Sequence, residues 1–394
     1  MNEDAGRIAV AGAGIAGLTC ALQLARLGHG VDLYERTARL SEVGAGIQLS
    51  PNVAGPLSML GLDEALDAHA VRPEAVQMWS GRDGRPIARV PLGDSALERY
   101  GFPYRVIHRA DLQRVLLDAA IASPSIRLHL GETILKAWER SSGVTLELAS
   151  GQRQACLLVA ADGVWSALRA VVNGVKAWKT GQTAWRAVVD RTPADAATPP
   201  VTDLWLAPDV HVVRYPIAGG RLSNLVVVMA DQACDEASWR LTDEMALPEA
   251  PLASLDPALS GQLRSVPAWT RWPLFSVDPS TEWTRGRIAL VGDAAHSMLP
   301  FLAQGGAMAI EDATELAAAV ALHGATPAAL AAYERRRKPR VTHIWREAQR
   351  LTRVYHLPYP ASIGRDMTLA ALGPRRLLER MDRIYGWRPP TLPS

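Results

Sequence analysis

Short apolar runs of strand length alternate along the chain with longer segments that carry apolar residues at helical spacing. In the first such unit, Ile8 to Ala11 predicts a buried strand and Leu18 to Leu27 predicts a helix that stops at Gly28. Val31 to Tyr34 then predicts a second strand. A strand, a helix and a strand within about 30 residues are typical of two parallel neighbours in one sheet.

A glycine-rich turn, Gly12-Ala13-Gly14-Ile15-Ala16-Gly17, joins the first strand to the helix. The first glycine permits a tight turn, the second lets the backbone approach a pyrophosphate, and the third lets helix and strand pack closely. Glu35 ends the second strand roughly 20 residues further on, where a carboxylate can accept hydrogen bonds from a ribose. The pattern predicts a dinucleotide site, without deciding between NAD and FAD. A purely structural turn is the alternative.

The pattern also predicts how the rest of the chain is divided. Ala75 to Trp79 and Arg85 to Val90 form a predicted hairpin, and strand-like runs with many tryptophans dominate 176–277. The segment from Ala307 onward is mainly helical. We therefore expect an α/β fold: a Rossmann-like nucleotide-binding domain, an inserted, mainly antiparallel β domain, and a C-terminal helical part. The expected boundaries are 1–72, 101–175 and 278–394 for the first domain with the C-terminal helices, and 73–100 and 176–277 for the inserted one.

Four further positions carry candidate chemistry. The segment 39–51, with Gly44 and Gly46, predicts a small-residue loop that can lie flat against a planar ligand, although a plain surface turn is the alternative. Arg109 precedes a predicted helix, where a guanidinium can meet a phosphate or form a helix-end salt bridge. Asp162 follows a buried strand at the expected ligand edge of the sheet. Gly305 and Gly306 start a helix whose free N–H groups can bind a carbonyl oxygen or an anion.

Composition narrows the class of partner. The net charge of +2 argues against a nucleic acid, and we interpret the basic run at 335–338 as a solvated helix face. Cys20, Cys156 and Cys234 are far apart and lack the spacing of metal ligands or of a disulfide framework, so no metal is expected and the cytoplasm is favoured. No apolar run approaches the roughly 18–20 residues that a membrane span needs.

The motifs together resemble one enzyme family. In chain order they are the glycine turn with Glu35-Arg36, Arg109-Ala110-Asp111-Leu112, Asp162-Gly163, and GDAAHSMLPFLAQGGAMAIEDA from Gly292 to Ala313. This combination is similar to the single-component FAD-dependent aromatic hydroxylases, such as salicylate hydroxylase, 3-hydroxybenzoate 6-hydroxylase and 6-hydroxynicotinate 3-monooxygenase. An FAD-dependent reductase or another oxidoreductase of the same superfamily, or a non-catalytic FAD-binding sensor, is the alternative.

The resemblance implies bound FAD and NAD(P)H that docks only transiently. Reduced flavin would react with dioxygen to a hydroperoxide, which would hydroxylate a hydroxylated monocyclic aromatic or pyridine compound, often a carboxylic acid. A monomer or a homodimer is expected. The implied FAD contacts are Gly12, Gly14, Ile15, Ala16, Gly17, Glu35, Arg36, Gly46, Ile47, Arg109, Leu130, Asp162, Asp293, Gly305, Gly306 and Ala307.

The same resemblance points to the substrate site. His211 and Tyr215 are four apart on a predicted strand and therefore share a face, and they match a His and a Tyr that related enzymes use. We expect them to form a hydrogen-bonded pair that takes or orients a phenolic proton. Gln48, Trp185 and Phe301 are the expected pocket residues. Gln48 matches the 3-hydroxybenzoate type, but Pro300 and Phe301 replace a glutamine and a histidine of related types, so the substrate stays open.

Overall fold

The computed structural model describes residues 6–40, 45–231 and 244–391. Its strands are β1 Ile8–Ala11, β2 Val31–Glu35, β3 Gly46–Leu49, β4 Ala75–Ser80, β5 Pro86–Pro91, β6 Arg105–His108, β7 Ile126–Leu130, β8 Ile134–Arg140, β9 Gly143–Leu148, β10 Gly151–Ala155, β11 Leu157–Ala160, β12 Trp178–Asp190, β13 Thr202–Ala207, β14 Val210–Ile217, β15 Leu222–Ala230, β16 Glu244–Met245, β17 Trp269–Ser276, β18 Thr284–Arg285 and β19 Ile288–Leu290.

The helices follow the same order. They are α1 Ile15–Arg26, α2 Pro51–Ser58, α3 Asp63–Asp67, α4 Gly93–Tyr100, α5 Arg109–Ala122, α6 Arg169–Val172, α7 Pro193–Ala196, α8 Glu249–Leu252, α9 Pro257–Arg264, α10 Asp293–His296, α11 Gly305–His323, α12 Pro327–Tyr355, α13 Ala361–Glu379 and α14 Asp382–Tyr385. None of these described helices is long and apolar enough to cross a bilayer.

A six-stranded sheet carries the nucleotide-binding part, in the order β18-β19-β11-β1-β2-β7. The strands from β19 to β7 are parallel, and only the short edge strand β18 is antiparallel. β1, β11 and β19 are buried at every position, which explains why they are continuous apolar runs rather than alternating ones. The predicted α/β fold class is confirmed.

The second large sheet has eight strands in the order β16-β17-β12-β15-β14-β13-β4-β5, and only the β13–β4 pair is parallel. Strands β4 and β5 join it from far away in the sequence, which is why 73–100 and 176–277 belong to one sheet. One face of this sheet packs on helices α8 and α9 through a core that includes Val212 and Leu259, while the other faces the rest of the molecule. The domain boundaries remain our proposal.

The segment 39–51 is only partly a loop. Residues 41–44, and therefore Gly44, lie outside the described residues, as does Cys234, whereas Gly46–Leu49 forms β3 and pairs with β6. The pairing brings Gly46 opposite His108, immediately before Arg109 at the start of α5. Two predicted site positions from separate segments therefore lie side by side.

Candidate active site

The glycine turn has the geometry that its sequence predicts. Gly12 has a φ of +100°, and a Cβ there would lie 2.5 Å from the carbonyl oxygen of Ala161. A Cβ on Gly17 would overlap the carbonyl oxygen of Gly12, so helix α1 can approach β1 this closely only without a side chain. Around Gly14, in contrast, no atom lies within 4 Å of the position of a Cβ. The turn is thus closed towards the protein and open at its middle glycine.

Glu35 holds this turn from the end of β2. Its Oε2 accepts a hydrogen bond of 2.8 Å from the amide of Ala13, and its Oε1 accepts one of 3.0 Å from the amide of Thr37. Arg36 next to it is exposed, and Leu130 lies opposite Glu35 in the neighbouring strand β7. Glu35 therefore has a structural role in addition to the predicted contact with a ribose.

Two helices present free N-termini at this edge. α1, which begins with Ile15 and Ala16, and α11, which begins with Gly305, have neither a side-chain cap nor an acidic residue in the first turn. At Gly292, whose φ is +59°, a Cβ would lie 3.0 Å from that of Ala16 and 3.1 Å from that of Ala309. Gly292 therefore joins the starts of α1 and α11, and it places the exposed Asp293 beside them.

Further predicted cofactor residues adjoin the start of α11. A Cβ on Gly306 would lie 2.6 Å from Cδ1 of Ile47, while the Cβ position of Gly305 is open. Ala307 is fully buried. The half-buried Arg109 starts α5, and its amide donates to the carbonyl of Ala45 at 2.9 Å.

The donors and acceptors of this edge fit FAD. Asp162, at the end of β11, accepts a hydrogen bond from the amide of Leu168 through Oδ2, while its buried Oδ1 has no partner among the described residues. Burial raises the pKa of the Asp162 carboxyl, because too few hydrogen bonds compensate the charged form for the loss of water. Together with the open Gly14 and Gly305 and the two free helix starts, Asp162 fits an extended dinucleotide with a pyrophosphate and a polar ring edge.

A buried ion network, which no sequence motif marks, supports α11. Arg337 on α12 contacts Glu311 at 2.5 Å and Asp312 at 2.8 Å, and all three side chains are at most 1% exposed. Asp312 accepts from the amide of Gly292 at 3.0 Å and contacts His296 at 2.5 Å. Burial alone would raise the pKa of Asp312, but the charges of His296 and Arg337 outweigh it and lower the pKa to about 2.

The network reaches the loop before α11. Asn52 donates to Glu311 at 2.6 Å and to the side chain of Gln304 at 3.1 Å, and Gln304 donates to Ser50 at 2.9 Å.

The interpretation of 335–338 as a solvated face is wrong for Arg337, because its side chain is only 1% exposed. A helix of 3.6 residues per turn cannot direct four consecutive side chains to one side, so one of them turns inwards.

A cavity of about 520 Å³ lies next to this loop. Its wall contains two of the predicted pocket residues, Gln48 and Phe301, and the predicted catalytic residue His211. Tyr104 donates a hydrogen bond to Gln48, and neither Tyr104 nor Tyr385, whose ring centroid lies 5.8 Å from that of Tyr104, was identified from the sequence. The other lining side chains are mainly apolar, and exposed arginines stand at the rim: Arg350, Arg380 and Arg383.

The structure corrects two expectations about this cavity. Trp185 is on the opposite face of the eight-stranded sheet, in the core with Val212 and Leu259, because alternation along β12 turns Ala184 rather than Trp185 towards Phe301. Trp185 is therefore not a pocket residue. His211 and Tyr215 share a face of β14 as predicted, but they are not hydrogen-bonded to each other.

Each member of the expected pair has a different neighbour. Tyr215 packs so tightly against Gly46 that any Cβ there would overlap the tyrosine ring, and burial raises the pKa of its hydroxyl. His211 contacts His356, with 2.9 Å between Nδ1 of His211 and Nε2 of His356. Burial, with the neighbouring imidazole, lowers the pKa of His211 well below its ordinary value, and burial lowers that of His356 to about 4. Both rings are therefore neutral near pH 7.

The fold and this site define a flavoprotein in which a dinucleotide-binding edge lies beside a cavity of about 520 Å³, large enough for an aromatic ring. Residues 6–348 match the model of the FAD binding domain family, so the chain belongs to that family. It is 40% identical to a 3-amino-4-hydroxybenzoate 2-monooxygenase of Streptomyces platensis, over 97% of this chain and 95% of the relative. It is 32% identical to a 3-hydroxybenzoate 6-hydroxylase of Polaromonas naphthalenivorans, over 96% of both.

A solved structure agrees with these relatives. The fold superposes with a TM-score of 0.83 on Klebsiella pneumoniae HpxO complexed with FAD and uric acid, which is 26% identical over 95% of each chain. The protein is thus an FAD-dependent aromatic monooxygenase that uses NAD(P)H as co-substrate, as the sequence predicts.

Proposed function

We propose that the ring hydroxylated by this monooxygenase is an aminohydroxybenzoate, with 3-amino-4-hydroxybenzoate as the first candidate. The observation that carries the proposal is the cavity, which joins apolar walls, a buried histidine and a rim of exposed arginines. Apolar walls suit a flat ring, the histidine suits a phenol, and arginines suit a carboxylate. The Streptomyces platensis relative acts on a ring with these groups, according to its name.

The chain's own residues then have separate tasks. FAD, when bound, supplies the electron transfer and the activation of dioxygen. The starts of α1 and α11, with Glu35 and Asp162, would hold it. His211 is neutral and lies in the cavity wall, so it would accept the phenolic proton and thereby make the ring more electron-rich. Tyr215 is buried behind Gly46 and does not line the cavity, so it would support β3 in the cavity wall and would not deprotonate the ring.

3-Hydroxybenzoate is a second candidate. Gln48 matches the glutamine of that enzyme type and lies in the cavity wall, where Tyr104 fixes its side chain. The two candidates differ in where a polar ring substituent must be recognised. Product analysis with both substrates therefore distinguishes them.

The test is a screen of aromatic acids for substrate-stimulated consumption of NADH and NADPH, followed by identification of the product. We expect the aminohydroxybenzoate to give a dihydroxylated product with the highest kcat/KM. His211→Gln should retain FAD and substrate binding but hydroxylate about 10²–10⁴-fold more slowly, with more hydrogen peroxide per NAD(P)H. His323→Gln, on an exposed histidine at the end of α11, is the matched control. Stimulation by neither candidate acid would contradict the proposal.

We also propose that the enzyme works in the cytoplasm as a monomer or a homodimer. Cys20 and Cys156 are free thiols, which supports a reducing compartment. Light scattering of the FAD-loaded protein would decide its oligomeric state. A tetramer or a larger assembly would contradict this part.

A further inference from the structure

We propose that His356 receives the substrate's phenolic proton from His211 and passes it to the solvent. The two imidazoles then act as a relay through the wall of the cavity. This inference rests on the proposed role of His211 and adds a residue at the end of α12 to the machinery. His356 stands 145 positions from His211 in the chain, in a segment that no motif marks.

The position of His211 leaves one exit for a proton. Its side chain lies in the cavity wall, is 2% exposed and uses Nδ1 to contact Nε2 of His356. Its other nitrogen, Nε2, makes no hydrogen bond to any described residue and can therefore accept from a phenol. The remaining neighbours of the ring are Phe301 and Tyr355, with centroids 4.8 and 5.4 Å away. Phe301 has no proton to exchange, and the Tyr355 hydroxyl donates to the carbonyl oxygen of Phe301 rather than to His211.

His356 connects this buried ring to the surface. It is half-buried, and it follows the last residue of α12, where the negative end of a helix favours a protonated side chain. Asp209, in the turn between β13 and β14, is exposed and acts on His356 in the same direction. Arg365 acts against it, but Arg365 also donates to the carbonyl oxygens of Val354 and Tyr355 and pairs with Asp366.

The charges around His356 therefore allow a proton to bind there briefly but do not stabilise it. Asp209 and the helix end attract the proton, while burial and the charge of Arg365 prevent it from remaining on His356. A cationic pair would also be costly beside the apolar cavity. A proton that reaches His356 consequently leaves towards water.

The transfer balances without any further reagent. The relay requires the tautomer in which Nδ1 of His211 carries a proton and donates it to Nε2 of His356. The phenol O–H bond breaks and its proton binds Nε2 of His211, while the Nδ1 proton of His211 moves to Nε2 of His356. His356 then releases its Nδ1 proton to water, and the substrate is left as a phenolate. When the product oxygen regains a proton, the reverse transfer restores the starting tautomers.

The decisive variant is His356→Gln. A glutamine oxygen can accept from Nδ1 of His211 and hold its ring, but an amide cannot pass the proton on. FAD-loaded protein is mixed anaerobically with 3-amino-4-hydroxybenzoate, without NAD(P)H, and ring ionisation is followed by ultraviolet absorbance. We expect the substrate affinity of the variant to be unchanged. The rate of ring ionisation and kcat should both fall by about 10–10²-fold, and added imidazole should partly restore both rates. His323→Gln should match the wild type.

Three results would overturn the relay. Ionisation and kcat of His356→Gln equal to the wild type would reduce His356 to a positioning residue. A wild-type ¹⁵N NMR spectrum without a hydrogen-bonded Nδ1–H on His211 would remove the tautomer that the relay requires, whether or not a substrate is known. A wild type that hydroxylates no aromatic acid would refute the proposed function and the relay together, whereas an active enzyme indifferent to His356→Gln would refute the relay alone.

Discussion

The dinucleotide edge and the cavity are built in opposite ways. The edge consists mostly of backbone: the turn from Gly12 to Gly17 and the start of α11 present N–H groups and bare Cα atoms. The cavity consists of side chains from distant segments, from Gln48 on β3 to Tyr385 on α14. A backbone site is sensitive to any added carbon atom, whereas a side-chain site is sensitive to the loss of a particular polar group.

The two regions meet at the start of α11. Residues 300–303 line the cavity, and the helix that follows begins with the glycines of the cofactor edge. The buried ion network of Arg337, Glu311 and Asp312 ties this helix to α12. A change in the network should therefore affect both regions, while a change in either region should leave the other intact.

The largest effect is expected from Arg337→Met, which removes the cation and leaves Glu311 and Asp312 buried without it. Breaking a buried pair in this way costs about 3–5 kcal/mol of unfolding free energy. Arg340, which also contacts Glu311 at 2.7 Å, does not replace the contact with Asp312. Chemical denaturation would measure the loss, and both FAD and substrate affinity should fall.

Arg336→Met is the matched control for this change. Arg336 precedes Arg337, its side chain is 44% exposed, and its contact with Glu315 is 3.6 Å long. Its removal should cost less than about 1 kcal/mol. Equal losses from the two variants would contradict the assignment of the network as the support of α11.

The next effect separates the edge from the cavity. In Gly17→Ala the new methyl group must displace the backbone of Gly12, which should destabilise the protein by about 1–3 kcal/mol and abolish retention of FAD. Gly14→Ala meets no atom in the protein, so it should keep the stability and lower only the affinity for FAD. Thermal unfolding of the apo forms and FAD titration would test the pair. A Gly17→Ala protein that retains FAD would contradict the role of the close approach.

The same contrast explains what could be predicted from the sequence. Gly12, Gly17 and Glu35 could be predicted because all three lie within about 30 residues, and their spacing follows directly from the tight turn, the close packing of helix on strand and the acidic strand end that a dinucleotide site needs. The face shared by His211 and Tyr215 could be predicted from strand periodicity. Periodicity could not show which face of β12 meets the cavity, so the prediction of Trp185 as a pocket residue was wrong. His356 could not be found, because its position depends on how the 29-residue helix α12 packs across the molecule.

The smallest effect concerns the rim of the cavity. Arg350 and Arg380 are exposed, so they should attract a carboxylate through solvent and contribute less than about 1 kcal/mol each. Arg350→Gln combined with Arg380→Gln should raise KM for the benzoate substrate about 2–10-fold with little change in kcat. Because exposed charges are screened over about 8–10 Å at physiological salt, the difference should shrink at high ionic strength.

Two controls make this last expectation specific. Arg375→Gln removes an arginine of α13, the helix that ends immediately before Arg380, but its 91% exposed side chain pairs with Glu379 and does not line the cavity, so KM should not change. The carboxamide of the substrate should bind the wild type and the double variant equally, because it carries no charge for the rim to attract. A raised KM for the amide as well would mean that the arginines shape the cavity rather than attract the acid.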